Sequence, residues 1–150
     1  MAEAQTRTTP IHLWIVGLLS LLWNGFGAYD YFMTRTRNMD YLGSMPGVDP
    51  NALLAYIDSF PLYAQIGWGL GVWGAVLGSI LLLMRSRWAV AAFGASLLGA
   101  VLSLGYQLIG PPGPAGMDEG GAAIMPWVII AVAVALLYYA IRQKRVGVLR

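Results

Sequence analysis

The sequence predicts an all-α, polytopic membrane protein: a four-helix transmembrane bundle with a short amphipathic helix in its first long loop. Three observations carry that expectation. Hydrophobic residues fill 58% of the 150 positions and charged residues only 11%, against roughly 25% charged in soluble domains. Water could not solvate so much apolar surface. The apolar residues are gathered into four runs long enough to cross a hydrocarbon core, and the basic residues collect on one side of those runs. The length suits one unit, so residues 1–150 are read as a single transmembrane domain.

The first run, 11–32, follows Pro10 and is interrupted by His12 and Asn24 before it reaches Asp30. The second, 62–84, follows Pro61 and has Gln65 as its strongly polar residue. A proline at a helix start sacrifices no backbone hydrogen bond. The third, 88–109, follows the tight hairpin Arg85-Ser86-Arg87 and stops before Pro111-Pro112-Gly113-Pro114, which cannot continue a helix. The fourth, 122–141, carries no charge. Backbone in lipid must satisfy its own polar groups, so each run is expected to be helical. Trp14, Trp88, Tyr138 and Tyr139 fall toward one end of these helices, and Tyr29, Tyr31, Tyr63, Tyr106 and Trp127 toward the other. Two such girdles suit rings that prefer a bilayer surface.

Four spans put both termini and the 85–87 hairpin on one side. That side holds Arg7, Arg85, Arg87, Arg142, Lys144, Arg145 and Arg150; the other holds Arg35 and Arg37 with Asp40, Asp49, Asp58, Asp118 and Glu119. The basic side is expected to be cytoplasmic, which makes the long first loop periplasmic. A cleaved signal peptide ending near Gly25-Phe26-Gly27 is the competing reading. The segment before it is barely positive and the apolar run continues past it, so an uncleaved span is expected.

Small and polar residues recur at helical spacing. They are Gly17, Ser20, Asn24, Gly27 and Tyr31 in the first run, and Gly67, Gly71, Gly74 and Gly78 in the second. In the third they are Ala92, Ser96, Gly99, Ser103 and Tyr106. Each set shares one face, where small side chains let helix backbones approach closely in lipid. A closely packed bundle is the plain reading. A glycine-lined cleft for a ligand or lipid tail is the sharper one, and the Gly-x-x-x-Gly pairs are also compatible with dimerisation.

Residues 33–61 form the long connection. Thr34-Arg35-Thr36-Arg37-Asn38 opens it, Met45-Pro46-Gly47 reads as a turn, and Asp49 and Pro50 suit a helix cap and first position. A short amphipathic helix over 50–59 follows, with Leu53, Ile57 and Phe60 on one face and Leu54 beside them.

Few residues are equipped for chemistry. Asp30 is the acidic residue inside a run, and a charge there either pairs or does work; Arg35 and Arg37 are its candidate ion-pair partners. Asn24 needs an interhelical hydrogen bond. Asn24, Tyr29, Asp30, Gln65, Tyr106 and Gln107 all fall in the periplasmic half and form a candidate polar pocket if their faces converge. His12 is read as solvated or bonded to a lipid headgroup at the cytoplasmic surface, and Arg142-Gln143-Lys144-Arg145 as an anchor to anionic lipid. With no cysteine and a single histidine, thiolate metal sites and bis-histidine haem are excluded. No cofactor, metal or nucleic-acid partner is expected.

Trp23-Asn24-Gly25-Phe26-Gly27-Ala28-Tyr29-Asp30-Tyr31, with Met33-Thr34-Arg35-Thr36-Arg37-Asn38, resembles an uncharacterised family of small four-helix proteobacterial inner-membrane proteins. So does Gly71-Val72-Trp73-Gly74-Ala75-Val76-Leu77-Gly78-Ser79 with Arg85-Ser86-Arg87-Trp88-Ala89-Val90. Some members carry the label "sugar transporter". The resemblance implies a bacterial inner membrane and four spans, and it carries over no functional residues. The expected function is that of a non-enzymatic accessory or structural subunit, in contact with the lipid bilayer and with a membrane-protein complex. The alternative is a small homo-oligomeric transporter or channel subunit with a periplasm-facing polar pocket. No nucleophile–base pair or metal set supports an enzyme.

Overall fold

The computed structural model describes residues 8–150, so Arg7 lies outside the described residues. Those residues form six helices and no strand: α1 (Ile11–Arg35), α2 (Met39–Gly43), α3 (Pro50–Asp58), α4 (Leu62–Leu83), α5 (Ala89–Ile109) and α6 (Gly120–Arg145). α1, α4, α5 and α6 are each long and apolar enough to cross a membrane. Two of them outlast the apolar runs. α1 continues to Arg35, and α6 runs from Gly120 to Arg145 with Arg142, Lys144 and Arg145 in its last turn. Cations there complement the carbonyl end of the helix, so polarity ends the apolar run without ending the helix. Pro126 sits early in α6, where its missing N–H removes a single bond.

The small-residue stripes of α4 and α5 meet. A methyl group added at Gly67 would lie 2.8 Å from the Gly99 carbonyl oxygen, and one at Gly71 or Gly74 would lie 3.1 Å from the backbone nitrogen of Ala100 or Ser96. One at Gly99 would lie 2.5 Å from both the Gly67 oxygen and the Gly71 nitrogen. The Ser96 hydroxyl donates to the Gly71 carbonyl at 2.6 Å. Gly78 faces the ring of Phe93. The stripe that also suited dimerisation is therefore occupied by α5 of the same chain. On α1, Gly17 abuts the Leu83 side chain, but a methyl group at Gly27 would meet nothing within 4 Å. Gly27 is thus no packing glycine, because the helix α1 leans on has turned its stripe toward α5.

Helices pack in the order α1–α4–α5–α6. α1 and α6 meet at the end that carries the 85–87 hairpin, where Leu13, Leu82, Ala89, Phe93, Leu136 and Ala140 form a core with Val148 and Leu149 of the C-terminal segment. That segment folds back along the hairpin. Arg87 N–H donates to the Arg150 carbonyl and Arg150 N–H to the Arg85 carbonyl, both at 2.8 Å. His12 Nδ1 and the Tyr139 hydroxyl are in hydrogen-bond contact at 2.6 Å, so His12 is tied to α6 rather than simply solvated.

At the opposite end, the loops form a cover. Asp49 caps α3 by accepting from the Asn51 and Ala52 N–H groups. Leu53 and Leu54 are buried with Leu42, against Tyr41, Met45, Val48, Ile57 and Met117. α2 is an element the sequence reading did not anticipate; Asn38 caps it by accepting from Tyr41 N–H.

Candidate functional site

A partly open cavity of about 380 Å³ lies between the four long helices, within the range typical of small-molecule sites. Its floor is Phe93 and Leu136, and its rim is Asp30 and Tyr41. α1 contributes Trp23, Phe26 and Gly27 to its wall, α4 contributes Gly67, Trp68 and Gly71, and α6 contributes Met125, Ile129 and Val132. Beyond the contact at the His12 end, α1 and α6 do not pack along their length. The seam between them is the side on which helix–helix packing fails to close the wall.

The cavity is mostly apolar, and its polar groups are largely engaged. Asn24 donates to the Ser79 hydroxyl at 2.9 Å and to the Ala75 carbonyl at 3.3 Å. This is the interhelical bond expected of a buried amide. Ser96 is committed to Gly71. Ser103 also lines the cavity, and its fully covered Oγ is the buried side-chain polar atom without a partner among the described residues.

Asp30 differs from these. It is half-buried at the rim, and its Oδ1 accepts from the Tyr41 hydroxyl at 2.7 Å. Tyr41 stacks edge-on against Tyr29 at 5.5 Å. The ion pair foreseen between Asp30 and Arg35 or Arg37 does not form. Arg37 instead makes a bidentate pair with Asp58 at 2.8 Å, and Arg35 is exposed. The reason is local. Arg37 has a left-handed backbone (φ 54°) just past the end of α1, which carries its side chain toward α3 rather than back along α1.

The six residues of the candidate polar pocket do not converge. Asn24 and Asp30 line the cavity, and Tyr29 touches it only through Tyr41. Gln65 donates to the Phe60 carbonyl at 2.9 Å. Tyr106 packs against Phe60 at 5.1 Å and Tyr63 at 6.2 Å. Gln65 shares a helix face with Trp68 and Val72 but precedes Gly67, the first residue of α4 in the lining, and so lies beyond the cavity. Gln107 lies beyond Leu104, the last residue of α5 in the lining. What sequence reasoning missed was Tyr41. Its signal is the cap: Asn38 starts α2 and so sets Tyr41 in its first turn.

No group of three or more His, Cys, Asp or Glu residues suited to a metal ion occurs among the described residues. No family model, curated protein or solved structure matches the chain. Its functional reading rests on its own geometry: a half-open apolar chamber with one carboxylate at the rim.

Proposed function

We propose that the chain is a non-enzymatic multi-pass protein of the bacterial inner membrane that takes a small lipophilic molecule from the bilayer into its bundle. The observation behind this is the cavity of about 380 Å³ bounded by Trp23, Phe26, Trp68, Ile129 and Val132 and unsealed between α1 and α6. A closely packed bundle of structural purpose has no use for such a gap, since unfilled apolar space forfeits dispersion contacts. In this reading both termini are cytoplasmic, from the basic bias of the hairpin and C-terminal segment, and the α2–α3 cover is periplasmic. A bacterial inner membrane accords with the small four-helix proteobacterial proteins the sequence resembles.

With Trp14, Trp73, Trp88 and Trp127 replaced by Phe, the two tryptophans that remain, Trp23 and Trp68, serve as internal reporters. The neutral probe 1-bromododecane is expected to quench their fluorescence saturably in the purified chain. Gly27→Leu, which places a side chain where nothing lies within 4 Å, should weaken that quenching about tenfold by occupying the cavity. Equal, non-saturating quenching of both proteins would leave an accessory subunit without its own ligand as the better account. A reporter fused after Arg150 and found outside the cell would overturn the orientation.

A further inference from the structure

We infer that the molecule held in the cavity is an amphipathic organic cation, with its charge at Asp30 and its apolar body among Trp23, Phe26, Trp68 and Met125. This deepens the reading of the cavity as a ligand site and rests on it. Three observations lead to it.

First, the rim carboxylate has no counter-charge. Among the described residues, no Lys, Arg or His nitrogen lies within 4.0 Å of Asp30, and the ion pair that does form uses Arg37 and Asp58. Asp30 receives one hydrogen bond, on Oδ1 from Tyr41; Oδ2 is left to accept from something else.

Second, the cavity offers no positive charge: the indole N–H groups of Trp23 and Trp68 are neutral donors, and the other polar groups are largely engaged. The Asn24 amide is given to Ala75 and Ser79, and the Ser96 hydroxyl to Gly71. Ser103 Oγ is unpartnered but covered, and being neutral it selects for no charge. A ligand therefore meets a negative acceptor and no cationic donor. An anion would be repelled, and a neutral molecule would leave the rim carboxylate without a counter-charge.

Third, the cavity below the carboxylate is rich in rings. Trp23, Phe26, Tyr41 and Trp68 all line the cavity. Ring faces attract cations, more strongly where water is excluded. A single carboxylate above a chamber walled by rings fits a bulky ammonium or phosphonium centre better than a hydrated metal ion, which would need several oxygen ligands.

The test uses two probes of one shape and opposite charge, tetraphenylphosphonium and tetraphenylborate. Binding to the full-length protein in detergent is measured by equilibrium dialysis, with empty micelles subtracted. The phosphonium should bind saturably, and the borate should show no excess over micelles. Asp30→Asn keeps an oxygen for the Tyr41 hydroxyl, so the fold is retained, yet it should weaken phosphonium binding about tenfold or more through loss of the charge. Asp30→Glu should recover most of the affinity. Equal binding of both ions, or an Asp30→Asn protein that binds the phosphonium as wild type does, would overturn the cation assignment. The neutral bromododecane result would then still decide the cavity itself. Absence of phosphonium binding, with bromododecane quenching intact, would likewise sink only the cation.

Discussion

The α4–α5 pair and the α1–α6 seam are made from helices of similar apolarity, yet one is closed to backbone contact and the other is open. α4 and α5 bring a small residue to the interface at nearly every turn; Gly67 and Gly99 leave no room for a methyl group, and Gly71 leaves little. Across the seam, α1 brings Trp23 and Phe26 and α6 brings Met125, Ile129 and Val132. Helices long and apolar enough to cross a membrane would, in the lipid proposed above, differ in this way. In lipid, apolar bulk gains little by leaving the bilayer for another helix, so association depends on close fit and hydrogen bonds. The seam closes only at the His12 end, where the His12–Tyr139 contact and the Leu13, Leu136, Val148 and Leu149 cluster supply both. The cavity thus opens where the small-residue stripe stops.

The sharpest way to break this comparison is a pair of matched substitutions. Gly99→Leu drives a side chain into the backbone of α4, which cannot yield as a flexible side chain could. It should cost about 3 kcal/mol or more, read as a lower midpoint when helix content is followed during titration of mixed micelles with SDS. Gly27→Leu, on the seam, should shift the same midpoint by less than about 1 kcal/mol, and in the stabilising direction if helix propensity dominates. Equal losses at both glycines would mean that the seam is as tightly packed as the α4–α5 interface. A smaller effect is expected at the closed end of the seam. Leu149 is 4% exposed and Val148 is 7% exposed. Leu149→Ala should destabilise by about 2 kcal/mol and make α1 easier to separate from α6, seen as faster hydrogen exchange around Leu13 and Ala140. Unchanged exchange there would assign the closure to His12 and Tyr139 alone.

These contrasts also mark what the sequence could convey. The four long helices, the hairpin and the capped α3 follow from run length, Pro10, Pro61, Asp49 and the 111–114 prolines, all local signals. The α4–α5 stripe was legible because spacing along one helix defines a face. Partnership between faces is a tertiary property, so nothing in the sequence said that α4 would spend its glycines on α5 and leave Gly27 facing space. The candidate pocket failed for the same reason. Position near one end of the runs grouped Gln65, Tyr106 and Gln107 with Asp30, while the cavity stops short of Gln65 and Gln107 along α4 and α5 and Tyr106 packs on Phe60 and Tyr63. The exchange of Arg37 from Asp30 to Asp58 depended on a backbone turn that no propensity rule places in the sequence. Tyr41 became the partner of Asp30 because a five-residue helix, too short to announce itself by periodicity, carried it over the rim.

Tyr41 offers the finest test, because it joins the cover to the open end of the seam. Burial first, then the hydrogen bond to Asp30, and then the charges of Asp30 and Tyr29 push its hydroxyl well above the ordinary tyrosine value near 10. Tyr56 on α3 is raised as well, again mainly by burial. A raised phenol favours the neutral form in the folded state. Its contribution is therefore complete below pH of about 10 and is lost as pH climbs through the higher folded value. Loss of that proton would place two negative charges across the 2.7 Å contact, so α2 should lift from α1 before the helices themselves melt. Alkaline titration followed by tyrosinate absorbance should show a late-ionising tyrosine that disappears in Tyr41→Phe, and in the variant that keeps only Trp23 and Trp68 the emission should shift toward that of solvated indole in the same range. A tyrosine that titrates near 10 without a change in tryptophan emission would mean that the cover is not anchored to Asp30. The rim carboxylate would then stand open to solvent rather than beneath a hydrogen-bonded lid.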